Sequence, residues 1–484
     1  MNITSGINKQ LQRAHAIDKI TAFVGSMGAW QKLSVIIFSA ALAGCAVGPD
    51  YVKPQMDVPA SYKENSLWKT AQPKDDLPRG VWWSIYRDPQ LDKLMEILNR
   101  QSPSIAQAEA QYRQAQALLR QAEAGLFPSL TANTSRTRSV SAPSTAASTQ
   151  YALGGTASWE LDLWGGIRRS VEAGEAKQAA SAAQLAAVKL SSQALLATAY
   201  LQLVVADQQL MQLQDSEKAL KETLDITNNQ HAAGIVSEAN VAQAESQLKS
   251  AQALTVDKRL TRAQLEHAIA VALGQTPASF SLPTSRYVPF LPQIPPGLPS
   301  SLLERRPDIS VAERNVAQAN AQIGIAKAAY FPSLMISATG GYRGTTLADL
   351  VTLPNRIWSI GPQLALPIFD AGLRKAQTDQ AVANYDASVA SYRQIVLAAF
   401  QEVEDNLAAQ SMLSQEAEFQ KAALDAAVRS ETITLNQYQA GVVSYINVLV
   451  AQNSRIAAQN TLWTVKNRQY MSSVALITAI GGQW

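Results

Sequence analysis

The sequence predicts a mixed α+β membrane protein in which a short β-sheet is joined to unusually long α-helices. Three observations support this fold class. The chain begins with an export-type segment that ends at a single cysteine, it contains segments of period-two alternation, and it contains two proline-free helical patterns that each run for roughly 70 residues.

The composition excludes several classes of protein. The 484 residues carry a net charge of only +3, with no basic stripe of the kind that binds nucleic acid. The histidines His15, His231 and His267 form no HExxH or other ligand spacing, and no GxxxxGK[ST] phosphate loop occurs. We therefore expect no enzyme activity, no cofactor and no bound metal.

The N-terminal segment is typical of an export signal. In "KLSVIIFSAALAGC", Lys32 precedes an apolar run that is too short to span a bilayer, and small residues lead to Cys45. "LAGC" resembles a bacterial lipoprotein signal, in which the cysteine becomes the lipid-bearing N-terminus. The alternative is a buried free cysteine. A start at Met27 would give a signal of more ordinary length.

The remaining chain repeats one plan twice. "FPSL" occurs at Phe127–Leu130 and again at Phe331–Leu334, 204 positions later, each time after an Ala/Gln-rich helical pattern. A Pro-rich linker separates the two copies. We divide the chain into a signal (1–44), an N-terminal lipid-anchored segment (45–88), a first repeat (89–275), a Pro-rich linker (276–300) and a second repeat (301–484).

Each repeat contains one predicted hairpin of two strands. In the first, apolar residues from Tyr151 to Leu163 alternate with polar residues that include Glu160 and Asp162. In the second, apolar residues from Trp358 to Ile368 alternate with residues that include Gln363. In both repeats, one strand face is therefore apolar and the other is polar.

A helical pattern precedes the first hairpin, from about Gln90 to Ala124, and a very long one follows each hairpin. The long patterns run from about Gly166 to Ala232 and from about Ala371 to Ala440, which is roughly 100 Å each at about 1.5 Å per residue. Shorter helices follow after tight turns, at about 237–273 and 444–480. In the second long helix, apolar residues recur at spacings of three and four, as in a coiled coil. These residues are Val389, Tyr392, Val396, Ala399, Val403 and Leu407.

Four strands cannot close a barrel, and unpaired strand edges are not tolerated in lipid. Two copies would give eight strands and a filled interior, whereas three copies would give twelve strands and a lumen. The sequence therefore predicts a trimeric 12-stranded β-barrel. Glu160, Asp162 and Gln363 would line its water-filled lumen, and Trp159 and Trp358 would face lipid or its interface.

Several longer motifs resemble one known family. "VWWSIYRDPQLDKLMEILNRQSPSIAQAEA", "LLERRPDISVAERNVAQANAQIGIAKAAYFPSL", "QYQAGVVSYINVLVAQ" and the C-terminal "ALITAIGGQW" are similar to the lipoprotein branch of the TolC-like outer-membrane factor family. The resemblance covers almost everything after Cys45.

The resemblance implies a homotrimer whose outer-membrane barrel is continuous with an α-helical coiled-coil tunnel in the periplasm. It also implies an equatorial region around the tunnel, built from the terminal segments, including 45–88, and the linker (276–300). It implies the exit duct of a tripartite efflux pump for small molecules such as drugs. The expected partners are a periplasmic adaptor (membrane fusion) protein, an inner-membrane pump of the resistance-nodulation-division type, and outer-membrane lipid.

The resemblance places a gate and an adaptor-docking surface at the helix turns around Gly234 and Gly441. Tyr438 falls on an aromatic that, in some members, bonds to an Asp six positions after the other tip glycine; that position is Asn240 here. An alternative is that Asn240 and Tyr438 only satisfy the turns.

Several charged residues of the family gate are absent from this sequence. Two pore-facing Asp positions of some members are Asn447 and Val450, and a partner Arg is Val443. As for Asn240 and Tyr438, the alternative is that Asn447 only forms hydrogen bonds within its turn. We expect closure by apolar packing and neutral hydrogen bonds, with weak cation selection.

Two other functions stay open at this point. One is the duct of a type I protein secretion system, which the lipoprotein signal and the "LLERRPDI" motif disfavour. The other is a lipid-anchored structural coiled coil that transports nothing, which would form a heat-labile, barrel-free oligomer without conductance.

Overall fold

The structure is a computed structural model that describes residues 46–56, 80–140, 146–292 and 305–482. The predicted signal, Cys45, Met27 and the last part of the linker lie outside the described residues.

The two halves of the chain repeat the same order of elements. The first half contains α1 (Pro89–Gln101), α2 (Pro103–Ala124), β1 (Ser129–Ser139), β2 (Ser148–Leu161), α3 (Gly166–Ala232) and α4 (Glu238–Ala272). The second half contains α5 (Pro307–Ala328), β3 (Ser333–Gly344), β4 (Arg356–Ala365), α6 (Leu373–Gln439) and α7 (Tyr445–Ala479). Short 3₁₀ turns occur at Trp82–Tyr86, Pro277–Ser279 and Leu353–Asn355.

The helix lengths confirm the predicted periodicity. α3 and α6 have 67 residues each, and α4 and α7 have 35 residues each. Five of the six predicted seam residues in α6 are buried: Tyr392, Val396, Ala399, Val403 and Leu407.

One predicted helix is divided in the structure. The pattern from Gln90 to Ala124 is interrupted at Ser102, which has an extended backbone (φ −61°, ψ 122°). The cause is Pro103, because a proline disfavours the helical conformation of the residue before it. Asp88 begins the first of the two helices, accepting hydrogen bonds from the backbone N–H of Gln90 at 2.8 Å and Leu91 at 3.3 Å.

The chain forms two compact units, and each unit draws on both halves. The sheet unit contains residues 46–52, 117–140, 146–176 and 317–386, and the helical unit contains the other described residues.

The sheet unit contains one antiparallel sheet with the strand order β1-β2-β3-β4. Both predicted hairpins are present, and β2 pairs with β3 to join them. Both copies of "FPSL" mark the change from helix to strand, because β1 begins at Ser129 and β3 begins at Ser333. The proline in each motif ends the helical hydrogen bonding.

The helical unit has its core where the Trp82–Tyr86 turn, α7 and the linker meet. Tyr86 is fully buried, and its hydroxyl lies 2.7 Å from the hydroxyl of Ser473 in α7. The hydroxyl of Tyr470 donates to the carbonyl of Pro289 in the linker at 2.5 Å. Burial raises the pKa of Tyr470 to about 12.

Candidate functional site

The sheet has one apolar face and one polar face. Residues directly opposite one another in neighbouring antiparallel strands point to the same side, so the observed register assigns every strand residue to a face. The apolar face carries Leu130, Ala132, Leu153, Ala157, Trp159, Leu334, Ile336, Ala338, Trp358, Ile360 and Leu364. The polar face carries Thr131, Asn133, Ser135, Thr137, Thr156, Ser158, Glu160, Ser337, Thr339, Ser359 and Gln363.

Two of the three residues predicted for the lumen lie together on the polar face. Glu160 in β2 is opposite Met335 in β3, which is opposite Gln363 in β4. Hydroxyl pairs also join strands on this face, with 2.8 Å between the Oγ atoms of Ser129 and Ser158. The polar face is therefore mostly hydrophilic, with Met335 and Ile357 as large apolar exceptions.

Asp162, the third predicted lumen residue, lies beyond the strand. β2 ends at Leu161, and the carboxylate of Asp162 accepts hydrogen bonds from the backbone N–H of Ile167 at 2.9 Å and of Arg168 at 2.8 Å. The prediction that the strand alternation runs through this residue is therefore wrong. The side chain satisfies the first free N–H groups of α3 instead.

The second strand pattern also ends early. β4 stops at Ala365, so Leu366 and Ile368 lie outside the sheet. Asp370 then repeats the capping role at the start of α6, accepting from the backbone N–H of Gly372 at 3.0 Å and from Arg374 Nη1 at 2.6 Å. Hydrogen bonds from the backbone N–H of Arg374 and other groups hold the pKa of Asp370 below its usual value.

Residues 46–50, here called the N-terminal strap, are bound to the start of α3 and to the middle of α5. The N–H of Val47 donates to the carbonyl of Trp164 at 3.0 Å. Arg169 Nη2 donates to Asp50 Oδ1 at 2.9 Å, and Asn320 Nδ2 donates to the carbonyl of Pro49 at 3.0 Å. The strap thus fixes the chain directly after Cys45.

The two tip turns, residues 233–237 and 440–444, have the same backbone conformation. Gly234 has φ +73° and Gly441 has φ +74°, values that strongly favour glycine. At both tips the glycine N–H and the following N–H donate back into the preceding helix, as in a Schellman motif. Ile235 and Val442, which follow the glycines, are 71% and 72% exposed.

Tyr438 lies in a small apolar cluster next to these turns, with Tyr445, Val448 and Ala244. Its ring centroid is 5.7 Å from that of Tyr445. Its hydroxyl donates to Oε1 of Gln230 in α3, not to Asn240. The sequence did not indicate Gln230, because the family pattern pointed to Asn240 as the partner of Tyr438.

The other predicted tip residues lie in and after the turns. The backbone N–H of Asn240 donates to the carbonyl of Ser237 at 3.0 Å, and Asn447 Nδ2 donates to the hydroxyl of Ser444 at 3.2 Å. Val450 is 60% exposed. Asn447 therefore contributes to its turn, whereas Tyr438 joins α6 to α3.

Ion pairs of the buried Arg306 explain the "RPD" part (Arg306–Asp308) of the "LLERRPDI" motif. Arg306 donates to Asp308 at 2.7 Å, to Glu402 at 2.6 Å and to the carbonyl of Ala479 at 3.2 Å. Burial alone would lower the pKa of the guanidinium, but the bonds to Asp308 and Glu402 outweigh it and raise the pKa. In the described ranges, no group of three His, Cys, Asp or Glu is placed to hold a metal ion.

Comparison with known proteins identifies the family. A family model described as "Outer membrane efflux protein" matches residues 94–275 and 298–482. The probable efflux pump outer membrane protein TtgC of Pseudomonas putida is 31% identical, with 93% of this chain and 95% of that protein covered. The probable outer membrane lipoprotein SilC of Salmonella typhimurium is 30% identical, with 92% and 96% covered.

The fold agrees with that of a solved channel. The structure of the outer-membrane channel OprN has a TM-score of 0.83 and 28% identity, and the match covers 91% of this chain and 100% of that chain. The predicted fold class, in which a β-barrel is continuous with an α-helical tunnel, is therefore confirmed, as is the outer-membrane location. The chain belongs to the outer membrane efflux protein family and is an outer-membrane duct of an efflux pump.

Proposed function

We propose that the duct is a homotrimer in which three four-stranded sheets close one 12-stranded barrel. The observation that carries this proposal is the sheet itself. β1 and β4 each have one neighbour in the sheet, and one face is apolar while the other is polar. In lipid, every backbone polar group must be paired, so β1 of one copy must meet β4 of the next.

The polar face lines a water-filled lumen, with Glu160 and Gln363 near its periplasmic end. Its lining consists mainly of hydroxyl and amide groups, which provide neither a nucleophile with an activating base nor a strong field of one sign. We therefore assign the protein passive transport and no enzyme activity.

The tip turns act as the gate and as the docking surface for a periplasmic adaptor. Tyr438 and Gln230 form a neutral hydrogen bond that fixes α6 to α3, and the cluster around Tyr445 supplies apolar packing. Ile235 and Val442 expose apolar surface at corresponding positions, which is suited to contact with a partner. The adaptor in turn would connect the duct to an inner-membrane pump of the resistance-nodulation-division type.

Cys45 carries the lipid anchor in this proposal. The N-terminal strap fixes the next residues beside the ends of the strands, so the lipid would enter the membrane close to the barrel. SilC, at 30% identity, is named an outer membrane lipoprotein.

The cargo is a class of small molecules. Related chains of similar identity are named for an antibiotic pump, a toluene pump and a cation system. These names cover different chemistries, and we propose that the pump rather than the duct selects among them.

Deletion of the gene, followed by susceptibility testing against antibiotics, dyes, organic solvents and metal ions, tests this function. We expect increased susceptibility to at least one class, restored by the wild-type gene and not by an empty vector. Unchanged susceptibility to all of them, with loss of a secreted protein from the medium, would favour the type I secretion duct instead.

A further inference from the structure

The end of the sheet farthest from the helices carries a cluster of positive charge. Helices are joined to the strands at Ser129, Leu161, Ser333 and Ala365, whereas the opposite ends are joined by hairpin loops. Four exposed arginines lie near those loops: Arg136, Arg138, Arg343 and Arg356. The loop sequences, residues 140–147 and 345–355, contain a single acidic residue, Asp349.

The register divides these arginines between the two faces. Arg136 is opposite Tyr151, and Arg356 is opposite Tyr342. Arg136, Arg138 and Arg356 lie on the apolar face, whereas Arg343 lies on the polar face with Thr339 and Gly341.

Two of the three arginines on the apolar face, Arg136 and Arg138, lie at the height of a headgroup layer. Arg356 is in register with Tyr342 and Leu153, two residues inside that level, which is within the reach of its long side chain. Leu161 and Tyr151 mark the two ends of the apolar face on β2, and they are about 33 Å apart along a strand at about 3.3 Å per residue. With the usual tilt of barrel strands, this corresponds to an apolar band roughly 25 Å tall. Arg136 and Arg138 therefore lie at and just beyond the outer edge of the band.

The ring of Tyr151 supports this placement. The guanidinium carbon of Arg136 lies 5.7 Å from the Tyr151 ring centroid. An aromatic ring with a cation above it is typical of a membrane interface, where one end of the pair is apolar and the other is hydrated. The guanidinium of Arg136 can donate two parallel N–H hydrogen bonds to a planar or tetrahedral anion, such as a carboxylate or a phosphate.

From these positions we infer that Arg136, Arg138 and Arg356 bind the phosphate groups of lipid A in the outer leaflet. The inference rests on the proposed trimer in one respect: closure of the ring brings β1 of one copy beside β4 of the next, so arginines from two copies meet at each seam. Charge complementarity favours a phosphorylated headgroup over a neutral one.

Binding of fluorescent diphosphoryl lipid A to the purified full-length trimer in neutral detergent tests this inference. The triple variant R136Q/R138Q/R356Q should bind at least about tenfold more weakly than the wild type, because each arginine near a membrane surface contributes attraction to anionic lipid. R343Q, which removes the same charge from the same end of the polar face, is the matched control and should bind like the wild type.

Two further measurements keep the test decisive. The triple lysine variant R136K/R138K/R356K should keep most of the binding, and dephosphorylated lipid A should bind all forms equally weakly. Equal loss in R343Q and in the triple variant, or no preference of the wild type for phosphorylated lipid, would overturn the inference. Channel conductance is recorded on the same samples, so a conducting trimer without lipid preference refutes only this inference, whereas a non-conducting sample refutes the duct.

Discussion

The hydroxyl of Tyr438 in α6 donates a hydrogen bond to the side-chain oxygen of Gln230 in α3. The two residues are 208 positions apart, and each lies just before a tip glycine. A neutral hydrogen bond therefore connects the ends of the two long helices. Because the charged residues of the family gate are absent from this sequence, this bond is the strongest candidate for the contact that holds the tips together.

Replacing Tyr438 by Phe should loosen the closed tips. The substitution keeps the ring and removes only the hydroxyl, so it leaves Gln230 without its donor and costs about 1 kcal/mol in each copy. We expect a roughly fivefold larger open fraction per copy, measured as longer open times in single-channel recordings.

The matched control is Tyr445→Phe in the same cluster. Tyr445 is 1% exposed, and no hydrogen-bond partner for its hydroxyl is found among the described residues. Removing this hydroxyl should leave the open fraction unchanged or slightly lower. An equal effect of both substitutions would show that the hydrogen bond to Gln230 does not hold the tips closed.

The burial of Tyr445 predicts that the protein becomes less stable at alkaline pH. Burial raises the pKa of Tyr445 to about 12, above its unfolded value of about 10. The protonated Tyr445 hydroxyl makes its full contribution to the free energy of unfolding below pH 10. That contribution is lost as the pH rises to 12, because the unfolded chain releases the proton at a lower pH than the folded chain does. Thermal melting between pH 9 and 12 should therefore fall less steeply for Tyr445→Phe than for the wild type; parallel curves would contradict this.

Arg306 should be a main determinant of the stability of the helical unit. It is 7% exposed and binds Asp308, Glu402 and the carbonyl of Ala479. Arg306→Ala should destabilise the protein by about 2 kcal/mol, since it removes a buried side chain and leaves the buried carbonyl of Ala479 without its donor. The control is Glu402→Gln, whose side chain is half exposed and which keeps an acceptor oxygen, so its effect should be below about 1 kcal/mol. Similar unfolding midpoints for the two variants would refute this role.

The N-terminal strap depends on Arg169, whose side chain is 5% exposed. Arg169→Gln should increase hydrogen exchange at the Val47 amide by at least about tenfold, because a charge-assisted hydrogen bond to Asp50 is lost. Glu172→Gln is the control, since Glu172 contacts the arginine but not the strap. Unchanged exchange in Arg169→Gln would mean that Asn320 and the backbone bonds hold the strap alone.

The periodic part of this fold was predictable from the sequence. The helical spacing of apolar residues and the alternation of apolar and polar residues in the strands each recur many times, so a single residue that departs from the pattern does not obscure it. The "FPSL" motifs located both helix-to-strand junctions for a local reason, the missing N–H of proline.

Helix capping and strand register explain why the sequence did not place Asp162, Gln230 and Arg136 correctly. Asp162 continues the strand alternation in sequence, but the free N–H groups at the start of α3 bind its carboxylate. Gln230 carries no distinctive signal, since its role depends on a residue 208 positions away. Similarly, a one-residue shift of register would move Arg136 to the other face, so its location required the structure.

Native mass spectrometry of the detergent-purified full-length protein, with conductance recorded on the same sample in a planar bilayer, tests the central claim most directly. The account predicts particles of three chains that form ion-conducting pores, because three four-stranded sheets close a 12-stranded barrel with a lumen, whereas two would give a filled interior. Particles of one or two chains, or trimers that conduct no ions, would contradict it.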